Sequence, residues 1–311
     1  MKPLVLALNP SIDAEWRVAR VLPSEKNEVL SERRWPGGKG VNVARWLKHL
    51  GRKANLLLPL GGPAGQELSR QLRAEELPAW VIRTRIPTRV NVIVTPEVGT
   101  QYRFNPVWHK LSPAQWIELA SAIEPRIAAA SRLVLSGSMP RGVPVLTYAQ
   151  LVRKASDQGI EVILDCDGSA FAAAVKAHPF LVKPNEHELA SWVGYELGSE
   201  MEIVRAAQEL SRRTRGWVLV SRGALGGLLV NREQGRVLSA VAPKARVLNT
   251  VGAGDALLAA AVDRIEAGAP PEEWLRAGIA TGTAATACQG GHLPSRAALT
   301  KLLTQVQVRN L

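Results

Sequence analysis

Short, nearly continuous apolar runs alternate with helical patterns along most of this chain, and that alternation restricts the fold more than any other feature. Residues 4–8, 55–60, 132–136, 162–165, 180–183 and 217–221 read as strands. Residues 41–50, 65–76, 144–158, 186–193, 256–266 and 272–287 read as helices, the first stopped by Gly51. Apolar strands interleaved with helices predict an α/β fold, a mainly parallel sheet covered by helices on both faces in a three-layer sandwich. Ligands in such folds sit at the carboxyl ends of the strands.

Two segments, 13–35 and 83–106, break the rhythm. Residues 89–95 alternate apolar and polar, Gly99 marks a turn, and Gln101-Tyr102-Arg103-Phe104 follows. Such alternation suggests antiparallel strands with one wet face. Paired into one small β-sheet beside the main body, the segments would form a lid over a site and a contact for a homodimer. No repeat or flexible linker divides the sequence, so residues 1–311 are expected to form a single domain carrying this lid.

Composition narrows the setting. A hydrophobic fraction of 46% suits a substantial core, and no apolar run is long enough for a membrane span. The first residues turn polar too soon for a secretory signal and read as a strand. Cys166 and Cys288 lack metal-ligand spacing, which leads us to expect a reduced, cytoplasmic protein. The net charge of +12 is spread along the chain without a basic tail or a nucleic-acid motif, so it fits small anionic substrates better than nucleic acid.

The segment Asn249-Thr250-Val251-Gly252-Ala253-Gly254-Asp255 leads into a helix rich in small apolar residues. Its close-set glycines permit a tight turn, and the helix's free N–H groups would attract an anion. Asp255 then stands where a carboxylate could take a proton from a hydroxyl while the amides hold a phosphoryl group. Leu257 occupies the third-glycine place, which excludes a dinucleotide fingerprint. Gly37-Gly38-Lys39-Gly40-Val41-Asn42-Val43-Ala44 is a second glycine turn opening a helix, without the spacing of a Walker A loop. It is either a plain helix entry or a place where Lys39 and Asn42 meet a ligand.

The remaining candidates each have two readings. Asp13, in Asn9-Pro10-Ser11-Ile12-Asp13 just past the first strand, caps a turn or binds sugar hydroxyls. Arg89, Asn91 and Arg103 on the lid form a solvated face, or the guanidinium groups grip a phosphate. In Lys183-Pro184-Asn185-Glu186-His187-Glu188, Asn185 and Glu188 form a helix-capping box or arrange the water shell of a magnesium ion. Ser221 to Gly227 is a glycine-rich hairpin or a holder of nucleotide phosphates or ribose. His109, His178 and His292 read as loop residues. No Ser/His/Asp arrangement suggests itself.

The order of these motifs, with Gly137-Ser138-Met139-Pro140-Arg141-Gly142 in mid-chain, resembles the PfkB (ribokinase-like) carbohydrate kinase family from residue 8 to about 295. It is most similar to the phosphosugar branch, which phosphorylates fructose and tagatose phosphates. The resemblance implies an ATP- and Mg2+-dependent kinase of a hexose monophosphate, most readily a fructose phosphate. It further implies Asp255 as general base and Gly252, Ala253 and Gly254 as the anion hole. Asp13, Gly38, Lys39 and Asn42 would bind the sugar, and Arg89, Arg103, Ser138 and Arg141 its phosphate. Lys183, Asn185, Ser221, Gly223, Gly226, Gly282 and Ala285 would serve the nucleotide, with Asn185 and Glu188 holding magnesium through water.

The sequence also departs from that family. Arg222 replaces the leucine usual in the Ser-Leu-Gly turn, adding a cation for ATP or pointing away. Asn249 stands where many relatives carry aspartate, which leaves a monovalent-cation site open. Lys39 resembles the 1-phosphofructokinase and tagatose-6-phosphate kinase pattern, whereas residues 101–104 and 277–286 resemble the minor 6-phosphofructokinase. Trp16, Trp35 and Trp108, near the lid, have no assigned counterpart in the family. The alternatives are a kinase of tagatose 6-phosphate, of an unphosphorylated sugar or of a nucleoside, and an inactive binding protein on the same fold.

Overall fold

The computed structural model describes residues 1–107 and 110–311; Trp108 and His109 lie outside the described residues. The strands of the first half are β1 (Lys2–Leu6), β2 (Ser11–Val18), β3 (Ser31–Gly37), β4 (Asn55–Leu60), β5 (Ala79–Arg83), β6 (Arg89–Pro96) and β7 (Tyr102–Phe104). Those of the second are β8 (Ala130–Ser136), β9 (Glu161–Asp165), β10 (Leu181–Val182), β11 (Trp217–Ser221), β12 (Gly227–Asn231), β13 (Arg236–Ala240) and β14 (Val308–Asn310). The first helices are α1 (Lys39–His49), α2 (Gly62–Ala74), α3 (Pro113–Ile127), α4 (Thr147–Ser156) and α5 (Gly168–Val175). They are followed by α6 (Glu186–Val193), α7 (Glu200–Thr214), α8 (Ala253–Glu266), α9 (Pro271–Thr286) and α10 (Arg296–Leu303).

The main sheet runs β14-β13-β12-β11-β10-β9-β8-β1-β4-β5, parallel from β11 to β5 and antiparallel from β11 out to β14. Side chains alternate across it with the two-residue period of a strand. Leu4, Leu6, Leu57, Leu164 and Val218 face one core, beneath α3 to α7. Val5, Leu56, Leu58, Ile163 and Leu219 face the other, beneath α1, α2, α8 and α9. Both faces are therefore covered, as the apolar strand runs require.

The small sheet has the order β3-β2-β6-β7. Its outer pairs are antiparallel, but β2 and β6 pair in parallel from Ser11↔Arg89 to Val18↔Pro96. The expected all-antiparallel lid is thus a mixed sheet. The cause is connectivity: β1 and β5 are parallel members of the main sheet, and each leads directly into a lid strand. Its bounds shift too, since Arg83 ends β5 of the main sheet and the first insertion runs from Ser11 to Gly37. Trp35 is buried against Gly290 and Gly291. Arg33 lies over its ring and donates to Gln289 Oε1 and Gly290 O, both at 2.8 Å, which pins β3 to the loop after α9. No helix of the described residues is long and apolar enough to cross a membrane.

Candidate active site

Between the lid and the carboxyl ends of β1, β8, β9, β10 and β11 lies a cleft of about 530 Å3. Asp13, Arg89, Asn91 and Arg103 reach it from the lid, and Gly38, Lys39 and Asn42 from the start of α1. Ser138, Asp165, Lys183, Asn185, Glu188 and Ser221 come from segments following the main strands, and Gly252, Gly254 and Asp255 from the turn into α8. Strand ends in a parallel sheet collect residues from distant parts of the chain, which is why one cleft holds so many of the motifs.

Gly252 caps α8 at φ 80°, in the left-handed region, and this turn directs the first amides of the helix into the cleft. Asp255 lies in the first turn and is 6% exposed. Burial is the main reason its pKa rises, to about 6, and the charge of Asp165 adds to the shift; Asn42, Lys39 and Lys183 oppose it. Among the described residues its side-chain hydrogen bond is from Asn42 Nδ2 to Oδ2, at 2.8 Å. A buried carboxylate with a proton affinity this close to neutrality is suited to accepting a proton from a hydroxyl.

Beside it stands an ion-pair chain. Asp165, fully buried at the end of β9, lies 3.1 Å from Lys39 Nζ and 3.4 Å from Lys183 Nζ through Oδ1. Lys39 also stands 3.6 Å from Glu188 Oε1. Burial works against the Lys39 charge, yet the carboxylates of Asp165, Glu188 and Asp255 hold its pKa well above the usual value. The expected sugar ligand Lys39 is therefore turned toward the acidic side of the cleft. Lys183 lies over the α8 N-terminus, 3.6 Å from where a Cβ on Gly254 would stand. Asp165 was absent from the residues singled out in the sequence; its only signal was a carboxylate ending a predicted strand.

At the lid end, Asp13 lies inside β2 rather than in a turn. Its carboxylate accepts from Ser11 Oγ at 2.9 Å and Asn91 Nδ2 at 2.8 Å. Gly37 leaves room for it, since an added Cβ there would be 2.3 Å from the carboxylate. Burial raises the Asp13 pKa despite those bonds. Arg89 is partly buried, and its Nε has no hydrogen-bond partner among the described residues. Burial lowers its pKa, and the Asp13 charge opposes that shift. A guanidinium with an unpaired N–H facing a cleft is suited to receive an oxyanion. Arg103 is exposed on β7 and donates to Gln101 Oε1 at 3.1 Å.

Asn185 and Glu188 form the capping box of α6, with Glu188 N donating to Asn185 Oδ1 at 2.7 Å and Asn185 N to Glu188 Oε2 at 2.9 Å. The cap leaves Glu188 Oε1 in the cleft, and Asp165 Oδ2 is buried without a partner among the described residues. No cluster of three or more His, Cys, Asp or Glu side chains that could hold a metal exists among the described residues. A few oxygens with room for water suit magnesium, which keeps waters and shares substrate phosphates. The donor set therefore fits that ion, and Glu188 Oε1 and Asp165 Oδ2 are the carboxylate oxygens that would hold it through water.

Some expected residues lie elsewhere. Ala253 forms the first turn of α8 between the two cleft glycines. Arg141 lines an adjoining apolar pocket that shares Arg89 and Ser138 with the cleft, and donates to Val107 O at 3.3 Å. Gly223 belongs to a 3₁₀ turn with open space about it. Gly226, at φ 89°, faces Ala240, whose carbonyl oxygen would lie 2.0 Å from an added Cβ. Gly282 packs α9 against Ala253 and Leu257, and Ala285 lines a small pocket with Asn249 and Gly252. At Gly226 and Gly282 the nucleotide assignments thus coincide with packing requirements, whereas at Gly223 they do not.

The pattern of the pfkB family carbohydrate kinases matches residues 7–298. The chain is 36% identical to ATP-dependent 6-phosphofructokinase isozyme 2 of Escherichia coli (strain K12) over 293 residues, 93% of this chain and 94% of that protein. It is 31% identical to 1-phosphofructokinase of Haemophilus influenzae, over 98% of this chain and 97% of that one. Among solved structures, phosphofructokinase-2 from Escherichia coli in complex with substrates and products superposes with a TM-score of 0.90 at 33% identity, covering 98% of this chain and 99% of that one. The ribokinase-like fold and the motif order along the chain agree with these likenesses. The chain belongs to the pfkB family of carbohydrate kinases.

Proposed function

We propose that this protein is an ATP-dependent kinase that transfers the γ-phosphoryl group to a hydroxyl of a hexose monophosphate, most directly a fructose phosphate, and forms a sugar bisphosphate. The observation that carries this reading is the pairing of the buried Asp255, with its pKa near 6, with the amides at the start of α8. Asp13, Asn91 and Asn42 orient the sugar so that its free hydroxyl meets Asp255. Arg89 and Arg103 receive the phosphate already on the substrate; a neutral sugar or nucleoside would leave both guanidinium groups without that partner.

Asp255 accepts the hydroxyl proton as the oxygen attacks in line, while the Gly252–Gly254 amides and Lys183 hold the transferring group. Positioning and charge stabilisation do most of the work in such transfers. Glu188, with the Asp165 carboxylate in the same cleft, would hold magnesium through water, and the ion would supply positive charge to the phosphates. Asn249 Oδ1 accepts from Val251 N at 3.0 Å and braces the turn, so Asn249 brings no negative charge for a monovalent cation.

Residues 1–311 are read as one kinase domain, with the β-sheet lid closing over the sugar. Tyr102 and Phe104 expose their side chains on that lid, which supports a homodimer formed through it. A cytoplasmic location accords with ATP as donor and with both cysteines being free. The test is one assay of ATP consumption with fructose 1-phosphate, fructose 6-phosphate, tagatose 6-phosphate and free fructose. Turnover on a fructose phosphate with little on free fructose is expected; activity on free fructose alone overturns the reading.

A further inference from the structure

Arg222 follows β11 and opens the 3₁₀ turn over Gly223–Leu225. Neither use suggested by its sequence position, a cation for ATP or a solvent-facing side chain, matches its surroundings. The side chain is only 7% exposed. Its Nε donates to Glu186 Oε1 at 2.7 Å, and its Nη1 lies 3.2 Å from Glu200 Oε2. Glu186 is the first residue of α6 and Glu200 the first of α7, so one guanidinium fork ties the turn to two helix N-termini.

Backbone contacts run along the same seam. Ser221 N donates to Pro184 O at 3.1 Å, and Asn185 and Ser221 form an isolated parallel bridge. Arg222 N closes the turn on Gly226 O at 2.9 Å. Ser221 on one side of the seam and Asn185 and Glu188 on the other all line the cleft. Their separation therefore depends on how firmly the turn is held against α6.

Resting on the kinase reading above, we propose that Arg222 is a positioning residue for the nucleotide: its fork to Glu186 and Glu200 sets the spacing between Ser221 and the Asn185–Glu188 cap. It has a second effect through charge. Without Arg222, Glu186 and Glu200 would lose the guanidinium that pairs with both, and their negative charge at this seam would oppose a polyanionic nucleotide. A lysine keeps the charge but cannot span both carboxylates with a planar fork.

The experiment is calorimetric titration with Mg-ATP of the full-length wild type, Arg222→Met, Arg222→Lys and the double variant Glu186→Gln/Glu200→Gln, with KM for the sugar phosphate measured alongside. Arg222→Met should weaken ATP binding about tenfold and change the sugar KM by less than about twofold; Arg222→Lys should recover only part of the loss. The double variant keeps the arginine and cuts its ties, and should weaken ATP about threefold even if Arg222→Met fails to fold. Equal ATP affinity in the wild type and the folded variants overturns the positioning role alone. An equal rise in both constants also overturns it, as a general loss of structure. A wild type with no affinity for ATP overturns this role and the kinase reading together.

Discussion

Replacing Asp255 with asparagine should make the protein more stable and nearly inactive, and the stability gain should depend on pH. Burial and the neighbouring Asp165 raise the Asp255 pKa to about 6. Relative to a carboxylate value of about 3.9 in the unfolded chain, the shift corresponds to roughly 3 kcal/mol. Between those values the native protein binds more protons than the unfolded chain. Stability therefore falls as pH rises from about 4 to about 6, and the full penalty applies above that window. Asparagine removes the charge and can still accept the Asn42 hydrogen bond. At pH 8 the variant should melt about 5 °C above the wild type for a chain of this length. At pH 5, midway through that window, the gain should fall to about half, and it should approach zero only below about pH 4. The assay is scanning calorimetry at both pH values, with kcat measured at pH 8, where a loss of about a hundredfold or more is expected while ATP still binds. The same gain in melting temperature at both pH values, or near-normal turnover, would refute the reasoning.

Other perturbations probe the surroundings of Asp255. Arg89→Ala should raise KM for the phosphorylated sugar by about tenfold or more and change kcat less, because it removes the partly buried guanidinium from the lid end; steady-state kinetics decides this. Asp165→Asn removes a like charge from beside Asp255 and should move the acid limb of the kcat/KM profile below about pH 6, whereas an unmoved limb would place Asp165 outside the base's environment. Gly226→Ala needs a left-handed φ and meets the Ala240 carbonyl, so it should cost about 3 kcal/mol or more in chemical denaturation. Trp35→Ala should cost a similar amount, about 3 kcal/mol, by leaving a hole where β3 rests on Gly290 and Gly291.

The parallel core was legible because burial on both faces leaves a strand with almost no polar residue, as in Trp217-Val218-Leu219-Val220. Strands such as β5, with Trp80 and Val81 partly exposed at the sheet edge, carry no such signature and were passed over. So was the helix α3, which has Pro125 within it. The lid strands were found by their alternation, but alternation is blind to direction. Only the connection of β1 to β2 and of β5 to β6 makes the central lid pair parallel. Capping chemistry was the most local signal and the most exact: Asn185 and Glu188 pair as the sequence suggested, and α6 spans the predicted residues.

Asp165 was missed for a different reason. Its importance lies in its neighbours, Lys39, Lys183 and Asp255, which come from three distant segments, so no local pattern marks it. Yet its position obeys the rule that a parallel sheet places chemistry at its strand ends. Charge explains what it does there. With Asp255 ionised, the carboxylates of Asp165, Glu188 and Asp255 face the ammonium groups of Lys39 and Lys183, which leaves an excess of one negative charge in a buried setting. Protonating Asp255 removes that excess, which adds to the larger effect of burial on its proton affinity. A nucleotide adds further negative charge, so positive charge must enter with it if Asp255 is to stay ionised as a base. That requirement accords with the divalent cation proposed to be held by Glu188. It also predicts that saturating Mg-ATP shifts the Asp255 titration to lower pH than ATP alone, an ordering that pH-rate profiles at high and limiting magnesium would test directly.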